Sequence, residues 1–394
     1  MYAHWLTRLV ERPGLRVALF VAFGLGVVFR GVQVVVGISG PAWGYDFSAY
    51  WLASLRVINE QPLYLAAQLS GPFSPQEHFA YLYPPLLAVV LTPLPLLFSS
   101  YQTAMFAWAG AGLLILVGSV AVLARSDHRP GPVVVILVLA AVALPAAGFE
   151  LVMGNVHLLM VGLLAAAWLL LSRATRRGDI SAGALLAIAA LIKVFPALLI
   201  AWLLLRGKFA AAAGFVGAAG LLVVGSLPFV GLQAWLDYPV VLANVGPPPE
   251  LWSSIAPASF AAGVIDFNLA RLAVAVTGLV ILVWSTLRQP TPISFGVAVM
   301  VAMLVVPTMY VHYLALAILP MTLLALHARS WIAPAAAYGL LFIGTQVALI
   351  DLELPLARYI ALAGAIAPLL ALLLYGSGPT RAAAPAASVA HYAA

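Results

Sequence analysis

The sequence predicts an all-α protein, a polytopic bundle of transmembrane helices, and three observations carry that prediction. Of the 394 residues, 64% are hydrophobic and only 8% are charged, against about 25% charged in soluble chains. Apolar runs long enough to cross the roughly 30 Å hydrocarbon core of a bilayer recur along the chain. Basic residues gather in short clusters between those runs, the pattern of loops that anchor a membrane protein. So few charges cannot cover a water-facing globule of this size. A soluble enzyme, a nucleic-acid-binding domain and a disordered chain are excluded, and the net charge of +6 is not a nucleic-acid signal. The chain has no cysteine, so disulfides, zinc–thiolate sites and iron–sulfur clusters are excluded too.

In chain order, the spanning runs are expected near 15–37, 101–124, 132–149, 155–172, 209–229, 268–287, 293–310, 313–327, 331–350 and 359–375. The first follows Arg8, Arg12 and Arg16 and has no small-residue cleavage site after it, so it reads as a retained helix and not a signal peptide. Two further runs are irregular. Residues 84–98 are broken by Pro84, Pro85, Pro93 and Pro95, and 181–205 is interrupted by "KVFP". Each is either a full span or a pair of half-helices, for a total of about 10–13 membrane segments. Residues 1–375 are expected to form one transmembrane domain, with long external loops at 38–83 and 230–258 and a flexible cytoplasmic tail at 376–394.

Loop charge gives an orientation. Arg8, Arg12, Arg16, Arg125, Arg129, Arg173, Arg176, Arg177, Arg206, Lys208, Arg288, Arg329 and Arg381 place one side of the membrane in the cytoplasm, with the N-terminus and the tail. Most acidic residues, Asp46 and Glu150 among them, fall on the other side. Because "RATRRGD" (173–179) and "RGK" (206–208) are both cytoplasmic in this scheme, the segment between them goes in and comes back. A re-entrant hairpin with Lys193 near its tip is expected, which lipid tolerates only where the tip lines a protein cavity. The expected location is the plasma membrane.

The polar residues that could carry chemistry are few. Asp46 follows the first span in "WGYDFSAYW"; a carboxylate at the edge of a cavity can take a proton from an alcohol, or it is a solvated loop acid. Lys193 is one of two lysines and lies in the apolar run "LLAIAALIKVFPALLI". An ammonium there costs about 2.5–3.5 kcal/mol on insertion scales, so it either snorkels to the interface or binds an anion such as phosphate. His312, flanked by Tyr310 and Tyr313 in "VVPTMYVHYLAL", is a structural histidine or a hydrogen-bond donor to a phosphate or a sugar. "GFELVMGNVHLL" supplies Glu150, Asn155 and His157, with helix capping by Asn155 as the plain alternative. "YLYPPLL" (81–87) reads as the start of a broken helix and not as a site, and Trp252 with its two following serines is a weak candidate for a sugar pocket. No phosphate-binding glycine loop, dinucleotide fingerprint or HExxH pattern is present.

At these residues the chain resembles glycosyltransferase family 87, integral membrane transferases of the GT-C type that use polyprenyl-phosphate sugars. "YDFSAYWLA", "PLY" and "YLYPPLLAVVLTPLPLLF" are similar to the family's first external loop, and "GNVHLLMVGLLAAAWLLL" to its G-[NQ]-x-N turn and following helix. "SAGALLAIAALIKVFPALLIAWLLLRGKF" is similar to its AG…K-x-x-P segment, and "VVPTMYVHYLALAILP" to its S-P-x-x-W-x-H-[HY] segment, with Thr308 and Tyr310 in place of Ser and Trp. These matches run in order from about 44 to 320. The resemblance implies a sugar, mannose by the family's best-known members, moved with inversion from a polyprenyl-phosphate donor to a lipid or glycan acceptor at the extracytoplasmic face. It implies Asp46 as general base, Lys193 and His312 on the donor phosphate, and Glu150, Asn155, His157, Tyr310, Tyr313 and Trp252 as possible substrate contacts. Neither metal nor cofactor is expected, since a side-chain cation suffices for one departing phosphodiester charge. The alternative is a transporter or flippase of a lipid-linked or small polar solute, which would share the broken helices and the intramembrane cation. A non-catalytic subunit of an envelope complex is a third reading.

Overall fold

A computed structural model describes residues 5–73, 80–245 and 254–376. Those residues form a helical bundle with no β-sheet; Phe73 and Val245 make one isolated bridge. A short helix α1 (Trp5–Glu11) precedes α2 (Pro13–Ile38), which opens on a proline whose missing N–H costs nothing at a helix start. Two helices, α3 (Tyr45–Ile58) and α4 (Ala66–Ser70), lie in the segment read from sequence as the long loop 38–83. The proline-rich run is two short helices, α5 (Pro85–Leu91) and α6 (Pro93–Leu97), as the broken reading of 84–98 expects. Then comes α7 (Tyr101–Ser126), capped by Ser100, whose hydroxyl accepts the Thr103 N–H.

α8 (Gly131–Ala143) and α9 (Pro145–Met153) meet at a 58° bend. Pro145 forces its predecessor Leu144 out of the helical region (φ −63°, ψ 129°), so the break is written in the sequence. α10 (His157–Ser172) returns, and α11 (Arg176–Ile192) follows, capped by Thr175. At Lys193 the backbone becomes extended (φ −151°, ψ 125°), and a 3₁₀ turn (Phe195–Leu198) leads into α12 (Leu199–Leu205). The Lys208 amine is 3.1 Å from Asp179 Oδ1. Both ends of 179–208 therefore lie together, and the segment is the hairpin that the loop charges require, with Lys193 at its tip.

α13 (Phe209–Asn244) is 36 residues long, kinked at Gly231 (φ 70°, ψ 168°). The break falls where the expected span 209–229 gives way to the expected loop 230–258, and the first part of that loop is itself helical, through Asn244. The remainder is α14 (Pro257–Ala261), α15 (Phe267–Arg288), α16 (Thr291–Leu304), a 3₁₀ turn (Val311–Ala317), α17 (Ile318–His327), α18 (Ile332–Ile350) and α19 (Pro355–Gly376). The tail beyond 376 lies outside the described residues.

Among the described residues six helices are long and apolar enough to cross a bilayer, seven with the bent pair α8–α9, and five shorter apolar helices accompany them. The runs at 155–172, 293–310 and 313–327 are shorter helices, because polar turns at 154–157 and 308–313 cut them. The chain is a multi-pass membrane protein with long helices outside and short ones inside. Only 6% of the apolar window of α2 and of α13 is buried, whereas every residue of α16 from Ile293 to Leu304 is buried. The α11–α13 crossing is set by small residues: a Cβ on Gly183 would stand 1.9 Å from the Ala211 carbonyl oxygen, and one on Gly214 2.3 Å from that of Ile180.

Gly183→Val should lower the apparent melting temperature in detergent, since overpacking costs about 1–3 kcal/mol. Gly217→Ala on the open face of α13, where nothing lies within 4 Å, should leave it unchanged or raise it. Equal melting of the two variants would refute the close crossing.

Candidate active site

Helix ends supply the site. Gly44 is left-handed (φ 68°), and a Cβ there would sit 2.1 Å from the Tyr101 hydroxyl, so only glycine fits. Its carbonyl accepts from that hydroxyl at 2.5 Å and its N–H donates to Val152 O at 2.7 Å. Trp43 Nε1 donates to Gln102 at 2.9 Å. These bonds pin the start of α3, and so Asp46, against α7 and α9.

Gly154 (φ 69°) ends α9, with a Cβ position 2.8 Å from both Met105 and Phe47. The turn aims Asn155 at Asp46. Asn155 Oδ1 accepts the Val156 N–H at 2.7 Å, which fixes the amide with Nδ2 toward the site. Nδ2 lies 2.9 Å from Asp46 Oδ2, 3.1 Å from the Tyr83 hydroxyl and 3.2 Å from His312 Nε2. An amide nitrogen has two hydrogens for these three neighbours. The assignment that strands no buried donor gives them to Asp46 and Tyr83. His312 then carries its proton on Nε2, 3.4 Å from Asp46 Oδ2. His312 Nδ1, which finds no partner among the described residues, is left as an acceptor, the cheaper of the two groups to leave unmade.

A second chain of bonds runs beside the first. Glu150 is buried in the last turn of α9, and its Oε1 accepts the His157 N–H at 2.6 Å. The carboxylate thus caps the N-terminus of α10, where the helix dipole favours a negative charge. Asn155 is therefore not the cap; its side chain serves the site. Glu150 Oε2 lies 3.0 Å from His157 Nδ1, and His157 Nε2 lies 3.0 Å from Lys193 Nζ. The ammonium sits over the Tyr313 ring (3.8 Å to its centre) and near that of Tyr83 (5.3 Å). Lys193 terminates α11, so its charge also meets the negative end of that helix dipole.

The structure brings together Asp46, Glu150, Asn155, His157, Lys193, His312, Tyr310 and Tyr313, with Tyr310 stacked on His312 at 6.0 Å. Glu150 and His157 are buried, and their polar atoms meet each other and Lys193. Trp252 lies outside the described residues. Tyr83 corrects the reading of 81–87 as a helix start only: its hydroxyl touches Asn155 and its ring faces Lys193. The signal was an aromatic on each side of Leu82 directly before a double proline. Glu150, His157 and His312 place ligand atoms within 4.8 Å of one another, as a metal would need. The Glu150 and His157 atoms already satisfy each other, however, and the Lys193 ammonium borders the ring.

Asp46 stands on α3, which is not among the six long apolar helices. Its side chain keeps 20% of its surface open although protein surrounds it at depth. Burial pushes its carboxyl up to about 6, against the opposing pull of the Asn155 hydrogen bond and the Lys193 charge. A carboxyl whose folded-state pKa is raised stabilises the fold below its unfolded value of 3.8 relative to higher pH, and that stability is lost as pH rises through about 6. Asp46→Asn should therefore raise thermal stability at pH 7.5, by up to about 3 kcal/mol for a shift of roughly two units. The gain should vanish near pH 4. A melting curve that moves the other way at neutral pH would show that the carboxylate is not strained.

The family model for glycosyltransferase family 87 matches residues 81–311. The matched stretch contains Tyr83, Glu150, Asn155, His157 and Lys193; Asp46 and His312 lie outside it and join it through folding. No curated protein matches the chain.

Proposed function

The chain belongs to glycosyltransferase family 87 and is a membrane glycosyltransferase, and we propose that it moves a sugar, mannose in the first instance, from a polyprenyl-phosphate donor to a lipid or glycan acceptor. The observation that carries this reading is the meeting of one strained carboxylate, Asp46, with an ammonium, Lys193, and a histidine, His312, through Asn155, His157 and Tyr83. The acceptor O–H gives its proton to Asp46. Its oxygen attacks the anomeric carbon from the face opposite the phosphate, and the carbon–oxygen bond to phosphate breaks. The electron pair leaves with the polyprenyl phosphate, and the configuration inverts. Lys193 and the N–H of His312 meet the charge that develops on the departing oxygen.

A carboxyl poised near 6 suits the work of a base better than one of ordinary acidity, because proton-transfer efficiency rises with basicity while the group remains ionised at neutral pH. The donor's chain needs apolar room. A cavity of about 480 Å³ lined by Leu137, Leu144, Ile318 and Met321 lies among α1, α2, α8, α17 and α18. Leu144 immediately precedes the helix that carries Glu150, and Ile318 follows the 3₁₀ turn that carries His312. The site end of the bundle is opposite the end where basic loops meet: Arg129 bonds Leu326 O, Arg206 bonds Gln289 O and Lys208 pairs with Asp179. With those loops in the cytoplasm, the reaction faces outward across the plasma membrane.

Reconstituted protein should transfer radiolabelled mannose from decaprenyl-phosphate-mannose to a membrane-lipid acceptor. Asp46→Asn should lower the rate by about 10²–10⁴-fold. The wild-type rate should fall as pH drops below about 6, where Asp46 takes up its proton. Transfer by Asp46→Asn at the wild-type rate would remove the base assignment, and solute movement without transfer would remove the reaction.

A further inference from the structure

We propose that Glu150 and His157 are positioning residues: together they hold the Lys193 ammonium with two of its N–H bonds free for the donor's phosphate. This inference rests on the reading of Lys193 as the phosphate-binding cation and assigns to it a supporting pair. Their polar atoms are engaged with each other and with Lys193, and little of either is open: Glu150 is 1% exposed and His157 0%.

The argument is one of tautomers. Glu150 receives both the His157 backbone N–H at 2.6 Å and the ring Nδ1 at 3.0 Å. A carboxylate offers only acceptors, so Nδ1 must carry the proton and Nε2 must present a lone pair. That lone pair faces the Lys193 amine at 3.0 Å. The ring thereby accepts one ammonium hydrogen and fixes the torsions of a flexible side chain. Among the described residues the only other groups on the ammonium are the faces of Tyr313 and Tyr83. Rings attract a cation without consuming its N–H donors in directed bonds. Two hydrogens remain for an anion, and the half-buried side chain leaves them a way out.

Replacement of Glu150 by glutamine tests this arrangement because the amide brings a donor where only acceptors stood. With its oxygen taken by the His157 backbone N–H, its NH₂ faces Nδ1. The imidazole proton is then driven to Nε2, against the ammonium. Loss of a partner that fixes a ligand histidine typically costs 10–100-fold in affinity or activity, and an effect of about that size is expected here.

The test is a double-mutant cycle on binding, with decaprenyl phosphate as the probe and decaprenol, the same chain without phosphate, as its control. Glu150→Gln should weaken decaprenyl phosphate binding by about 10–100-fold and leave decaprenol binding as it was. Lys193→Gln should also weaken phosphate binding. The Glu150→Gln/Lys193→Gln double variant should bind no worse than Lys193→Gln alone, since groups acting through one contact are not additive. Wild-type affinity in a folded Glu150→Gln, equal losses for both probes, or losses that multiply in the double variant would each overturn the positioning role. An unchanged Lys193→Gln, or wild type that ignores the phosphate, would instead remove the phosphate assignment itself and the inference with it. If Glu150→Gln does not fold, His157→Gln enters the same cycle, with the same outcomes for and against.

Discussion

The carboxamide of Asn155 is the interaction on which the site depends. Its oxygen is committed to the backbone N–H of Val156, so its nitrogen has one direction left, and in that direction lie Asp46, Tyr83 and His312. These residues come from α3, the segment before α5 and the 3₁₀ turn before α17, which lie far apart in the sequence. The bond to Asp46 spans 109 positions of chain and the contact with His312 spans 157. The left-handed Gly154 makes the geometry possible, and Trp108 secures it by donating to the Gly154 carbonyl at 2.9 Å. Remove the amide, and a carboxylate already strained by burial loses the neutral donor that makes its charge tolerable.

The architecture follows from how lipid treats helix ends. A chain can expose side chains to hydrocarbon without cost if they are apolar, but it cannot expose unpaired N–H and C=O groups there. A site built from helix termini therefore has to sit inside a ring of uninterrupted helices. Long helices do carry outward apolar faces: α2, α13 before its break at Gly231, and α15 present Val28, Leu221 and Leu272 at 64, 77 and 60% exposure. The segments whose ends meet at the site are α9, α10, the tip after α11 and the 3₁₀ turn at 311–317. Two of these ends are settled by residues that also serve the site. Glu150 caps α10 and Lys193 closes α11, so the groups that settle the backbone are those that supply the charge.

Much of this was legible in the sequence, and the failures share one cause. Proline disfavours helix in the residue before it, which is why the Pro84–Pro85 pair and the KVFP tip were readable from residue type, whereas 132–149 reads as one run although Pro145 bends it. The lone lysine in an apolar run signals a partner in the same way, because the desolvation of an ammonium is a local property of the sequence. The helix after the break at Gly231 was not readable, since Pro239 sits in a helix that absorbs it and hydropathy cannot tell such a helix from a loop. Nor was the place of Tyr83, because its worth lies in Asn155 and Lys193, 72 and 110 positions away. The same holds for Glu150 and His157. Their residue types announce a polar site, but only the fold shows that they bond each other and Lys193.

The spacing of charge within the second chain explains why it contains an imidazole. A carboxylate bonded directly to Lys193 would hold the ammonium more tightly, and it would also cancel the field that an incoming phosphate is to feel. Set behind a neutral ring, with a 3.0 Å contact on each side, the Glu150 charge is still near enough to offset the cost of an ammonium away from water. Coulombic attraction falls with distance, so the carboxylate's hold on the cation is weakened while the hydrogen bond from Nε2 keeps its position. The pairing thus separates two demands that a direct ion pair would confound: the fold needs the cation compensated, and the reaction needs it available. A histidine in its Nδ1–H form meets both, because it passes on orientation and little charge.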